Sequence, residues 1–544
     1  MTIRALMLPI PVAPPVAPVT PVAAGPDVPA FLGLVIAVAV VAAAVRVVRV
    51  PYTVALVLTG LVLALAPGMP RFDLTPQVIF TVFLPVLLFH GSYNLDVADL
   101  RANLVPVATL AIPGVVATAG LVGAALHLLA GLSWGSALLF GAIVSATDPV
   151  AVLAIFGEVG APRRLATIVN GESLFNDGTA LVLFAAILGV ITSGAFHAAE
   201  TVERFAVAVA GSLALGAALA IVAGAALRCI DDALLETTIT LILAYGGFLL
   251  ADRLGVSGPL ETVTAGLVLG ARGRQVMSPT TRLQAQATWQ FLDFLANSLL
   301  FLLVGLGLRT VGAAATGRLA LGALLWPLVV AILATVVSRV AIAWCVAQAL
   351  RAVGRPLPRG WRTVLTWAGL RGAVSLAAGL GVPGGVPDRG LLLALTFGVV
   401  LFTLLAQGLT IRAVMERLGL LGAEASRHDY EFALGELQAT EAALRELATL
   451  RRADLVDADL GARLEREYGA RRAGVRARLA DLSHGATPGR EQEVEAMRRL
   501  LHVEREAVRG ARARGLLSYA TERALTDKVE RDLARLEPAL SEDA

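Results

Sequence analysis

Three carboxylates, Asp148, Glu172 and Asp177, sit inside stretches of sequence apolar enough to cross a bilayer. The first lies in Ser145-Ala-Thr-Asp-Pro149, the other two in Asn170-Gly-Glu-Ser-Leu-Phe-Asn-Asp-Gly178. A charged acid at the centre of a membrane helix costs about 2.5–3.5 kcal/mol on insertion scales, so such residues face a partner or a water-filled cavity and serve transport. Ser173 and Asp177 are four residues apart, as are Glu172 and Asn176, which on a helix places the two pairs on adjacent faces within one turn. A hydroxyl, an amide oxygen and a carboxylate then converge on one small cation. Thr147 and Asp148 add two more oxygens if the preceding helix packs alongside, and hard cations prefer oxygen ligands. Without an ion, two neighbouring carboxylates in low dielectric repel each other. A site of this kind therefore holds either a cation or a proton, and exclusive occupancy of Asp177 by one or the other obliges the two to move in opposite directions.

Two arginines stand in equally apolar surroundings. Arg339 lies in Leu333-Ala-Thr-Val-Val-Ser-Arg-Val-Ala-Ile-Ala343; a buried arginine needs a carboxylate or carbonyls, and Glu172 is its best partner. Arg371, in Trp367-Ala-Gly-Leu-Arg-Gly-Ala-Val-Ser-Leu376, is placed to offset the charge of broken helix ends or to tune the site. Asp293, Asn297 and Glu261 read as interhelical hydrogen-bonding groups of a scaffold or dimer region. Asp96, Asp99 and Asp252 read as interfacial acids. The six histidines show no metal-ligand spacing, and Cys229 and Cys345 read as small buried side chains rather than a disulfide or thiolate pair. No GxxxxGK[ST] phosphate loop is present. No cofactor is expected, and the driving energy must come from an ion gradient.

The elements that position these groups are membrane helices. With 57% hydrophobic residues and a mean hydropathy of +0.75, the 544-residue chain is excluded from the soluble globular class. The expected fold is all-α and polytopic: a Pro-rich disordered leader over 1–27, a transmembrane domain over 28–418 with thirteen apolar spans, and a helical tail over 419–544. Two spans are interrupted, the fifth (134–157) by Pro149 and the twelfth (360–382) by Gly369-Leu-Arg-Gly372. Unwound backbone is expected at both, and corresponding breaks in two halves of a carrier point to a mid-membrane site made of half-helices. Thirteen arginines lie in one alternating set of short connections and six in the other. The positive-inside rule then puts the tail in the cytoplasm and the N-terminus outside.

About half of all charged side chains fall in residues 421–544, 24 acidic and 21 basic. That balance offers no basic surface for nucleic acid. Helical stretches are expected over 430–482 and 491–537, separated by Ser483-His-Gly-Ala-Thr-Pro-Gly489 and packed through leucines such as Leu434, Leu437, Leu444, Leu447 and Leu450.

At SATDPVAVLAIF, NGESLFNDGTALVLF, VSGPLETVTAGLVLG, FLDFLANSLLFLLVG and TWAGLRGAVSLA the chain resembles the monovalent cation:proton antiporter-1 family, over roughly residues 30–416. The resemblance implies thirteen helices in two inverted six-helix repeats, a homodimer, and a mobile core with crossed, partly unwound fifth and twelfth helices. It also implies that Asp177, in the pair Asn176-Asp177, carries cation or proton, that Thr147 contributes through its carbonyl beside Asp148, and that Glu172, Ser173, Arg339 and Arg371 fill the remaining family positions. An Asn-Asp pair implies exchange of one cation for one proton. The expectation is thus a cell-membrane antiporter for sodium, potassium or lithium against protons, with membrane lipid as its surroundings. A cation channel, or an ion or pH sensor signalling through the tail, is the alternative. Glu261 and Asp293 depart from the family pattern, neither being expected to touch the site.

Overall fold

The computed structural model describes residues 28–48, 51–66, 75–193, 198–316, 321–354, 356–420, 423–453, 455–484 and parts of 497–536. The leader expected over 1–27 and most of the expected tail break, 485–489, lie outside the described residues. Among the described residues all regular structure is helical. This follows from the sequence: in lipid, each backbone N–H and C=O must be satisfied within its own segment, so long runs of Leu, Val and Ala become helices.

Helix α1 spans Val28–Val48 and α2 Tyr52–Leu65. A rod made of α3 (Pro76–Val78), a π turn (Ile79–Phe83) and α4 (Leu84–Asn94) follows, and then the short α5 (Val97–Ala102), whose first turn is capped by the Asp96 carboxylate. Helices α6 (Leu104–Ala111) and α7 (Pro113–Ala130) meet at Pro113, which removes a backbone donor. The first broken span consists of α8 (Trp134–Ile143) and α9 (Val150–Val159). Long helices follow: α10 (Arg163–Ser193), α11 (Ala198–Leu227), α12 (Ala233–Arg253), α13 (Gly258–Val276), α14 (Pro279–Thr316) and α15 (Leu321–Ala352). The second broken span is α16 (Trp361–Trp367) and α17 (Ala373–Leu380), and α18 (Arg389–Phe402) passes through a π turn (Thr403–Gln407) into α19 (Gly408–Arg417). Among the described residues eight helices are long and apolar enough to cross a membrane, and four shorter apolar helices accompany them, including α2, α8 and α9.

The bundle divides into two packing groups. Helices α2, α4 and α11–α14 pack chiefly on one another; α6–α10 pack with α15–α19. Small residues set the closest approach in the first group: a Cβ added to Gly60 of α2 would lie 2.9 Å from Cα of Gly305 on α14, so the two backbones touch where both residues lack side chains.

Among the described residues the tail departs from expectation where each expected helical run is interrupted, at Asp457 and at the non-helical Ser518. The run expected over 430–482 is divided into α20 (Ala423–Arg452) and α21 (Ala458–His484). Asp457 starts the second helix, its carboxylate accepting from Asp459 N at 3.2 Å and its carbonyl from Gly461 N at 2.8 Å. The two helices form an antiparallel hairpin around buried Ala433, Leu447 and Val475. Surface pairs such as Arg471–Glu436 (3.1 Å) and Arg476–Glu441 (2.8 Å) flank it, each worth no more than about 1 kcal/mol. Helix α22 (Tyr519–Leu536) lies further along the chain.

The cysteines are also placed differently from the sequence reading: Cys229 and Cys345 are both free and exposed. Cys345 follows the exposed Trp344 on α15, on a helix whose outward side chains are as apolar as its inward ones. Apolar neighbours therefore mark a membrane segment, not burial within protein.

Candidate functional site

The chain is non-helical over 144–149, yet Ser145, Ala146 and Thr147 are buried there. Backbone groups freed from a helix inside a membrane protein must find partners, and the second break supplies them. Asp148 N donates to Leu370 O at 2.8 Å. The Arg371 guanidinium donates from Nε to Val144 O at 2.9 Å and from Nη1 to Gly369 O, so one buried cation covers carbonyls of both interrupted spans. Ser375 Oγ donates to Ala146 O at 3.4 Å. Arg371 N in turn donates to Thr403 Oγ1 at 3.2 Å, in the π turn of the neighbouring rod.

Gly372 makes this crossing possible. A Cβ at that position would lie 2.5 Å from Cβ and 2.6 Å from Cγ of Asp148, far inside contact distance. Gly372→Ala is therefore expected to push the two breaks apart and to cost about 1–3 kcal/mol of stability, more than Gly384→Ala, a site with open space around it. Thermal unfolding measured on both variants checks this.

Helix α10 brings the third part of the site. Asn176 Nδ2 donates to Thr147 Oγ1 at 2.6 Å, Thr147 N donates to Asn176 Oδ1 at 3.4 Å, and the Thr147 and Ser173 hydroxyls are 3.2 Å apart. The amide of Asn176 thus holds the unwound segment on α10. Asp148 Oδ1 accepts from Val150 N at 2.9 Å, capping α9. Asp177 is buried, and its Oδ1 has no hydrogen-bond partner.

A cavity of about 380 Å³ opens at these residues, lined by Thr147, Asp148, Ser173 and Asp177 from the broken spans and α10. Its opposite wall comes from α4 and α14 of the other packing group. The cavity therefore lies on the boundary between the two groups, where a relative displacement changes access to it.

Not every residue falls where the sequence placed it. Thr147, Asp148, Ser173 and Asp177 share the cavity, and Asn176 braces it. Glu172 does not line it; the side chain is buried in a bidentate pair with Arg339, Nη2 to Oε2 at 2.8 Å and Nη1 to Oε1, while Arg339 Nε donates to Leu365 O at 2.9 Å. This ties α10 and α15 to the helix leading into the second break. Glu261 stays outside as expected, buried on α13 with Oε2 accepting from Thr262 Oγ1 at 3.1 Å. Asp293 is the correction: it lines the cavity as a third carboxylate, from α14. His90 lines it as well, with Asn94 Nδ2 at 3.1 Å from its Nδ1. No spacing within α4 or α14 marks either residue; both reach the cavity through the packing of helices distant in sequence.

Fold and site define a polytopic helical membrane protein with a buried acidic cavity at two crossed helix breaks. Residues 34–417 match the family model for the sodium/hydrogen exchanger, transmembrane, and the chain belongs to that family. It is 38% identical to the Na(+)/H(+) antiporter ApNhaP of Aphanothece halophytica, over 73% of this chain and 75% of that one. It is 34% identical to the uncharacterized Na(+)/H(+) exchanger Mb2309 of Mycobacterium bovis over 94% of this chain and 97% of that one, a match long enough to take in the tail. In fold it is similar to the sodium proton antiporter MjNhaP1 of Methanocaldococcus jannaschii, with a TM-score of 0.58 at 21% identity, over 72% of this chain and 98% of that one.

Proposed function

We propose that this chain is a secondary antiporter that exchanges sodium, or potassium or lithium in its place, for protons by alternating access. The observation that carries the reading is the buried, unpartnered Oδ1 of Asp177 at a cavity shared with Asp148. A buried carboxylate oxygen left unsatisfied costs about 1–3 kcal/mol or more, and a proton or a cation relieves that cost. Carboxylates at one cavity cannot all stay charged and empty, so release of a proton favours entry of a cation and the reverse. Thr147, Ser173 and the two carboxylates supply oxygens for the cation, Asn176 positions Thr147, and Arg371 holds the crossing rigid. Asp293, on the facing packing group, adds negative potential on one side of the boundary. The exchange is one cation for one proton, the protein is a homodimer in the cell membrane, its helices form two inverted repeats, and its tail is cytoplasmic.

Proteoliposomes test this directly. An imposed sodium gradient is expected to drive a change of luminal pH that requires the counter-ion and carries no current. A channel gives conductance under voltage clamp without obligatory countertransport, which would overturn the reading.

A further inference from the structure

We propose that the α15–α16 junction binds the phosphate headgroup of an anionic membrane phospholipid, whose acyl chains lie along α15. A cavity of about 530 Å³ is present at this junction, separate from the ion cavity, and among the described residues its lining holds Arg351, Arg359 and Arg362 and no carboxylate. Gln348 and Thr363 add neutral hydrogen-bonding groups, and the Pro356–Pro358 stretch forms an apolar wall. Guanidinium groups match the oxygens of a phosphate bidentately, and basic pockets between membrane helices are suited to anionic headgroups.

The second observation points to the source of that phosphate. On α15, Leu333, Val337, Val340 and Trp344 are 58%, 63%, 49% and 50% exposed. Their spacings of four, three and four residues put them on one helix face. The same spacing continues to Gln348 and Arg351, which line the cavity. An apolar stripe that the protein leaves uncovered therefore runs straight into the arginine cavity. A soluble phosphate uses only the charged end of this surface. A phospholipid uses both ends.

The cavity also reaches the ion site mechanically. Arg362 and Thr363 lie in the first turn of α16, and Leu365 on the same helix accepts the Arg339 Nε hydrogen bond at 2.9 Å. A headgroup seated on Arg359 and Arg362 braces the helix that leads into the second break. Bound lipid thus stabilises the crossing.

The test uses the full-length protein in lipid nanodiscs containing phosphatidylglycerol or only phosphatidylcholine, with retained lipid read by native mass spectrometry and unfolding read thermally. Neither readout depends on transport, so the proposal stands or falls apart from the antiport reading. Wild type is expected to retain phosphatidylglycerol and to gain thermal stability from it. The triple variant Arg351→Gln, Arg359→Gln, Arg362→Gln is expected to retain it at least about tenfold less and to lose the gain. A control triple at exposed arginines elsewhere, Arg101→Gln, Arg228→Gln and Arg272→Gln, keeps both. Should the first triple fail to fold, the single variants Arg351→Gln and Arg359→Gln are expected to show the same loss in smaller steps. Equal loss in both triples, unchanged retention in the cavity variants, or full reproduction of the stabilisation by inorganic phosphate would each overturn the proposal.

Discussion

Asp177→Asn is expected to abolish exchange while leaving the protein folded. The substitution keeps the shape of the side chain and removes the charge that the cation meets. At an effective dielectric of about 20, a unit charge 4 Å away contributes about 4 kcal/mol, and its loss corresponds to about a thousandfold weaker cation binding. Folding gains nothing from that charge, because Asp177 Oδ1 has no hydrogen-bond partner to lose. Thermal unfolding in detergent is therefore expected to be unchanged or slightly improved, and sodium-driven proton flux in proteoliposomes to fall to background. Transport at the wild-type rate in this variant would remove Asp177 from the centre of the mechanism.

The Arg339–Glu172 pair carries the other large effect, on stability instead of ion binding. Both side chains are buried and paired at two points. Removing one partner leaves the other as an uncompensated buried charge, which costs about 3–5 kcal/mol. Arg339→Met and Glu172→Leu are each expected to unfold at markedly lower temperature than wild type. The double variant removes both charges and is expected to recover much of the loss, as a double-mutant cycle read by thermal unfolding reveals. Additive single effects would show that the two residues act independently. Arg339 Nε also donates to Leu365 O, so loss of the arginine is expected to loosen α16 beyond what loss of Glu172 alone does.

Much of this organisation was legible in the sequence, and the reasons differ residue by residue. Pro149 and the Gly369–Gly372 run mark both broken spans, since proline removes a donor and glycine weakens a helix. The four-residue spacing of Ser173 and Asp177 survives into the structure because α10 is unbroken across them. The pairing of Glu172 with Arg339 was legible from scarcity, a buried arginine needing one of few buried acids or carbonyls.

What was not legible depends on packing between helices distant in sequence. Asp293 faces the cavity only because α14 passes opposite the breaks, and no spacing within α14 encodes that. In soluble proteins an apolar stripe marks the buried face, but in a bilayer the outward face is apolar too. Trp344 and Cys345 on α15, both exposed, therefore look in sequence like core residues. The division of the tail at Asp457 escaped because the Ala, Leu, Glu and Arg composition favours helix on both sides of it.

The central claim is that cation and proton occupy one buried acidic cavity in turn. The measurement that meets it most directly is the number of protons released when sodium binds to the purified wild-type protein in weakly buffered detergent solution, followed with a pH indicator. The account predicts close to one proton released per sodium bound, and none from Asp177→Asn. Sodium binding to the wild-type protein without proton release, across the pH range in which it transports, would contradict it.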